Sequence, residues 1–575
     1  MAFQVSPGVQ VKEIDATSVV PAVSTSIGGF AGAFNWGPVE QVVTVGSEKE
    51  LAAEFGSPDD NTALYFLTAA SFLKYGNALK VVRAATGNKN ATADGTGLLI
   101  KNDDDYVDNS YNTGAGSVGQ WAAKFPGILG NSLKVEMVTA DITDSNFNNW
   151  QYAGNFNTKP GTSEFAENLG KSATFNDELH VVVVDEDGLI SGKANTVLEV
   201  FSFMSIGSDA KASDGTSNYY VDVINAGSNY IRWMDHNTSL LSAGSALSGL
   251  SSLSGTITAV DSDSLSGGTD DNAPTTGELA TAYDLLEDGE TVDVNLLFAV
   301  PDTNNSSSIA NDLISIAGSR KDCMAFVSPP IADTQGSSSP AADVIAWCKG
   351  TDAGHDGVTS SSYAAVDSSA LYVYDKYNDV FRYIGAAGHM AGLCANTDSV
   401  ADAWFSPAGV NRGQLLGVTK LAFNPKQADR DALYKERINP LVSLPGQGTI
   451  LFGDKTLLSK PSAFDRINVR RLFNTLEKAI STAAKAQLFE FNDEFTRAQF
   501  KNLVEPFLRD VKGRRGLTDF LVVCDSTNNT SQVVDSNQFV ADIFVKPARS
   551  INFITLNFVA TRTGVEFTEI AGTSA

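Results

Sequence analysis

Apolar residues recur along this chain with two different periods, and the switches between them mark its elements. VQVKEI (9–14) follows a turn-forming SPG and alternates as a short strand. IGGFAGAF (27–34) reads as a buried strand that ends in an NWGP turn (35–38). Ser47 and Glu50 then stand in capping-box spacing ahead of LAAEF, which predicts a helix start. NTALYFLTAASFLKYGN (61–77) places Ala63, Phe66, Ala70 and Leu73 on one helical face, with Gly76 as its C-cap. LKVVRAA (79–85) follows as a strand, so this region predicts an α/β unit. The closing stretch, SINFITLNFVATRTGVEFTEIAG (550–572), returns to a period of two. Ile551, Phe553, Thr555 and Asn557 alternate there with Asn552, Ile554, Leu556 and Phe558. A terminal segment frays unless something ties it down, so this strand needs a partner.

Between these ends the texture changes twice. From 87 to 265, Ser, Thr, Asn, Asp and Gly dominate, with short strands such as LKVEMV (133–138) and HVVVVDEDG (180–188). After GGTDD (267–271) the α/β pattern resumes with a GELATAYDLLED helix, a VNLLFAVP strand, an SSIANDLISIAG helix and a CMAFVSPP strand. The matching texture on either side predicts one split middle α/β domain, 21–86 and 266–398, interrupted by a β-rich outer inserted domain, 87–265. Residues 399–575 predict a C-terminal α+β domain. Its main helix is expected over 465–489, with an apolar stripe of Val469, Leu472, Phe473, Leu476, Ile480, Ala483 and Leu488. Strands at 520–525, 540–547 and 550–572 follow. The expected fold class is therefore a mixed α+β and α/β multidomain chain.

Composition narrows the function. With 43% hydrophobic and 19% charged residues, the 575-residue chain is globular and long enough for several cores. Its net charge of −26 argues against general nucleic-acid binding. That charge is uneven: residues 411–515 hold 19 Lys+Arg against 11 Asp+Glu, inside a chain that is otherwise strongly acidic. This stretch reads either as a solvated face or as a surface aimed at an acidic partner. Cys323, Cys348, Cys394 and Cys524 lie far apart with no CxxC, the pattern of free buried thiols. The opening MAFQVSPGVQ has neither a basic n-region nor an apolar h-region, and no run of 18 apolar residues occurs. The expectation is a protein made in a cytoplasm, without membrane insertion.

Candidate chemistry is sparse. The chain has no GxxxxGK[ST], HExxH, GxSxG or CxxC. His180, His236, His355 and His389 share no helical-spacing pair. Asp185-Glu186-Asp187-Gly188 puts its glycine too early for an EF-hand loop and reads as a hairpin turn, and Asp103-Asp104-Asp105 reads as a solvated loop. The glycines of IGGFAGAFNWG do not fit GxGxxG and read as close packing. No cofactor, metal or catalytic residue is expected, and a structural role is favoured.

Several stretches then converge on a family. SPGVQVKEID, FNWGPVEQVVTVGSEKELAAEFGSP, AKFPGILGNSLKVEMV and DGTSNYYVDVIN come first. YDKYNDVFRYI, GHMAGLCANTDSVADAWFSPAGVNRG, FDRINVRRLFNTLEKAI and VVCDSTNNTSQVVDSNQFVADIFVKPARSINFITLNFVATRTGVEF follow. Together they resemble the tail sheath proteins of contractile-tailed bacteriophages, most densely over 370–570. The segment 87–130 is short where larger relatives carry a further outer domain, which is reduced or missing here.

The resemblance implies hexameric rings stacked on a helical lattice around an inner tail tube, in an extended, high-energy state. A baseplate signal triggers contraction, and a tail terminator closes the far end. The C-terminal domain, 399–575, would lie nearest the tube. Arms at 1–20 and 550–572 would complete neighbours' sheets through Val9, Val11 and Ile14 and through Ile551, Phe553, Ile554, Leu556 and Phe558. Arg466, Arg470, Arg471, Lys478, Lys485, Arg497, Lys501, Lys512, Arg514 and Arg515 become candidates for contact with an acidic tube or acidic lattice neighbours. Residues of the sheath of a headless contractile injection system would read similarly, and the Ser/Thr/Asn-rich middle also suggests a surface-layer or adhesin protein.

Overall fold

A computed structural model of the chain describes residues 23–85, 87–114, 116–301, 307–351 and 356–552. Its largest feature is a seven-stranded sheet in the order Ile438–Asn439, Ala364–Asp367, Met324–Val327, Leu296–Phe298, Gly28–Gly32, Leu79–Arg83, Val42–Val45. All neighbours are parallel except the last pair. Both faces of such a sheet must be covered, and the strands show it. Phe30, Leu296, Phe298, Met324 and Phe326 point into one apolar core, shared with helices Ala63–Leu73 and Ala387–Val400. Ala31, Leu297, Ala325 and Val327 point into the other, with helices Thr276–Asp284, Ser308–Arg320 and Pro340–Lys349. The sheet thus joins strands from both sides of the 87–265 stretch, and its central pair, Gly28–Gly32 and Leu296–Phe298, brackets that stretch in sequence.

Local signals account for several elements. Ser47 Oγ accepts from the Glu50 amide at 3.2 Å, and the Glu50 carboxylate accepts from the Gly46 amide at 2.8 Å, so helix Glu48–Phe55 starts where the capping pattern put it. The chain leaves for the middle stretch and comes back side by side: Lys89 and Thr269 exchange backbone hydrogen bonds, both at 3.1 Å. In between, four antiparallel strands line up as Thr196–Ser205, Glu178–Asp185, Leu133–Thr139, Asp261–Ser264. The DEDG segment opens the loop between the first two of these. Asp185 accepts from the amides of Gly188, Ile190 and Ser191, and Gly188 takes a φ of 79°.

The chain divides into two compact units, one through Glu490 and one from Phe491. Composition suggested a boundary near 399, yet Ile438–Asn439 is an outer strand of the large sheet, so residues 399–490 continue the first unit. A change of charge is a surface property and need not coincide with the edge of a core. The expected 465–489 helix is shorter, Ile467–Ala484, and tightens into a 3₁₀ turn over Lys485–Gln487. Leu488, assigned to its apolar stripe, lies beyond it and is 63% exposed. In the second unit, helix Glu494–Gly513 packs on an antiparallel pair, Leu517–Val523 and Asp542–Pro547. All four cysteines are free and buried. Among the described residues no helix is long and apolar enough to cross a membrane.

Candidate assembly surfaces

Among the described residues the second unit carries a two-stranded sheet. Helix Glu494–Gly513 buries Phe500, Leu503, Val504, Leu508 and Val511, and the strand Leu517–Val523 buries Leu517 and Val522. Its register pairs Leu521 with Phe544, and both are more than half exposed, at 57% and 59%. The sheet has only two strands among the described residues, so each has one edge with no partner strand. Two-stranded sheets are marginal alone, and open edges accept further strands. Ile551 follows this pair and is exposed. The other arm candidates, Val9, Val11, Ile14, Phe553, Ile554, Leu556 and Phe558, lie outside the described residues.

The basic candidates separate into two groups. Arg470 and Arg471 are adjacent on one helix and point to different interiors, both about 5% exposed or less. Arg470 lies between the rings of Tyr363, 4.2 Å away, and Phe464, 4.0 Å away. Burial draws its guanidinium below the ordinary arginine value. Arg471 pairs with Asp398 at 2.6 Å. Arg466 donates to the Tyr434 hydroxyl at 2.5 Å and to Asp454 at 3.2 Å, and Lys478 pairs with Asp293. The expectation that Arg470 and Arg471 offer surface charge is therefore corrected: the subunit's own carboxylates, carbonyls and rings occupy them. The apolar stripe of a helix marks its core side, but an arginine beside that stripe can bury its stem and find a distant partner.

The remaining cations are at the surface or near it. Lys485 and Arg515 are exposed. Lys501 lies 3.7 Å from Glu505, Lys512 3.1 Å from Asp519 and Arg514 3.5 Å from Asp510. Arg497 donates to the carbonyl and side chain of Asn492. Among the described residues no group of three His, Cys, Asp or Glu side chains could hold a metal. Burial pushes the thiols of Cys323 and Cys394 up to about 12 and that of Cys348 to about 11, so all three stay protonated.

The chain is 34% identical to the tail sheath protein of Enterobacteria phage T4 over 670 aligned positions, covering 99% of each. It belongs to the phage tail sheath family. Three family models divide the sheath chain among them. The N-terminal region of domain III of the sheath protein Gp18 matches 25–84, the sheath central domain 273–457, and the sheath C-terminal domain 459–561. The stretch between the first two corresponds to the β-rich excursion. Solved structures share the fold. The sheath tail protein Lin1278 of Listeria innocua has a TM-score of 0.53 at 12% identity, over 92% of this chain and 96% of that one. The contracted PVC sheath of an extracellular contractile injection system has a TM-score of 0.50 at 13% identity, over 98% and 99%. The sheath family is structural, a component of virion tails built as helical assemblies.

Proposed function

We propose that this sheath subunit polymerises as stacked six-membered rings around an inner tail tube, in an extended state that contraction discharges to drive the tube through a host envelope. The two-stranded sheet of the second unit, open at its edges among the described residues, supports this reading. An extended segment from a neighbouring copy would complete it, with backbone hydrogen bonds supplying affinity. A head-to-tail contact whose rotation does not close generates a helical filament. Each copy would give its 1–20 and 550–572 arms and receive those of others. Such links hold the lattice while the bodies move, and a kinetic barrier rather than nucleotide hydrolysis stores the energy. Assembly would take place in the host cytoplasm, with baseplate and terminator proteins at the ends.

Deleting residues 1–20 tests the reading. The truncated chain is expected to fold and to remain unpolymerised in negative-stain images, where the full chain gives striated tubes. Long contractile tubes from the truncated chain would refute arm exchange. The fold likeness to an injection-system sheath leaves a headless particle as the second reading, and capsid and terminase genes beside this one would exclude it.

A further inference from the structure

Residues 23–27 run directly into strand Gly28–Gly32, at the centre of the large sheet. That strand, GGFAG, is a weak one to pull on, because glycine gives a strand no side chain to hold it. The residues just ahead of it are tied by polar bonds to three other elements. Arg471 Nη2 donates to the Thr25 carbonyl at 3.2 Å and to Asp398 Oδ2 at 2.6 Å. Thr25 Oγ1 donates to the same Asp398 oxygen at 2.6 Å. Lys478, seven residues after Arg471 and so on the same helical face, donates to the Ser24 carbonyl at 3.3 Å and pairs with Asp293. Asn295 Oδ1 accepts from the Ile27 amide at 3.3 Å and from Ser24 Oγ at 3.4 Å. The bonds thus reach helix Ile467–Ala484, helix Ala387–Val400 and the residue that precedes strand Leu296–Phe298.

We propose that Arg471, Asp398 and Lys478 are positioning residues that form a mechanical anchor for the N-terminal segment. Tension applied there passes into two helices before it reaches the glycine-rich central strand. Charge-assisted hydrogen bonds suit this task, being shorter and stronger than neutral ones. The source of the tension rests on the arm-exchange reading above; the anchor itself does not. Cations that sequence alone aimed at an outside partner are spent on holding the root of the chain.

Pulling the full-length protein from two different points separates an anchor from an ordinary stabilising contact. One tether joins the N-terminus to residue 460, which loads residues 23–27. The other joins residue 60 to residue 460, which does not. Thr25→Val removes one bond, and Lys478→Ala removes the bond to the Ser24 carbonyl together with the Asp293 pair; both leave the buried Arg471–Asp398 pair in place. Under constant force on the N-terminal tether, each variant is expected to come apart about tenfold sooner than the wild type, as loss of a bond to a charged group implies. Under the 60–460 tether their lifetimes are expected to match the wild type. Unchanged lifetimes on the N-terminal tether overturn the proposal, as does equal shortening on both tethers. Neither result bears on arm exchange, which the 1–20 deletion tests by itself.

Discussion

Asp367 ends strand Ala364–Asp367 with its carboxyl fully buried. Ser328 Oγ donates to it, the Ser369 amide lies at 3.2 Å, and no cation pairs with it among the described residues. Burial therefore raises its pKa to about 7, with the two hydrogen bonds pulling the other way. The folded state holds this proton more tightly than the unfolded chain, where the group titrates near 4. Its stabilising contribution is full below pH 4 and is lost as pH rises through 7. Asp367→Asn cannot titrate. Denaturant unfolding at pH 5 and pH 8 should show the variant gaining on the wild type by a few kcal/mol as pH rises. Parallel pH curves would show that Asp367 is ionised at neutral pH in the folded chain. Nothing in the sequence singled out this residue, and the burial of Arg470 and Arg471 was equally hidden. Local spacing reveals which face of a helix is apolar. It does not reveal that Tyr363, 107 positions from Arg470, or Asp398, 73 positions from Arg471, waits beside it.

At the scale of elements, the pairing of helix Ala63–Leu73 with helix Ala387–Val400 depends on two glycines. A Cβ on Gly388 would stand 2.4 Å from the Thr68 carbonyl oxygen, and one on Gly392 2.4 Å from the Tyr75 ring. Backbone cannot yield as a side-chain tip can. Gly388→Ala is therefore expected to lower stability by about 1–3 kcal/mol, despite alanine's better helix propensity. Gly318, in helix Ser308–Arg320, has nothing within 4 Å of the corresponding point. Gly318→Ala should raise stability by up to about 1 kcal/mol. Thermal unfolding of the two variants measures both signs, and the close-approach account fails if Gly388→Ala is also stabilising. Elements such as these were the most legible part of the sequence. The Ser47 cap appears as expected, the helix expected over 61–77 forms over Ala63–Leu73 with Lys74 and not Gly76 as its C-cap, and the strand expected over 79–85 forms over Leu79–Arg83, because each rests on contacts within a few residues. The assignment of 399–490 was not legible: the two-residue strand Ile438–Asn439 is too short to carry a period.

For the whole molecule, identical copies that each carry −26 repel one another, so assembly depends on where the cations remain accessible. The resemblance suggested ten. Four of these, Arg466, Arg470, Arg471 and Lys478, are bound inside the subunit, which leaves Lys485 and Arg515 among the best exposed. Replacing both with glutamate should slow growth of the sheath on isolated tail tubes, most strongly at low salt, where screening is weakest. Light scattering during growth would record this. Equal rates at every ionic strength would make both residues solvated surface. Sequence resemblance supplied this scale of the reading, because a lattice leaves few marks on one chain beyond its unmatched edges and its uneven charge.

The anchor at residues 23–27 also sets a schedule. Its partners are Asn295, Asp398, Arg471 and Lys478, and ribosomes add roughly 5–20 residues each second. On the order of a minute therefore passes between the emergence of Thr25 and that of Lys478. The central strand waits as well, since Gly28–Gly32 cannot meet Leu296–Phe298 until the whole excursion between them has been made. A nascent chain thus presents its leading end before it has anything to fasten that end to. Fragments from aborted translation that stop short of Arg471 would lack a secured root, and could not be drawn into a growing sheath as faulty subunits able to bear its strain.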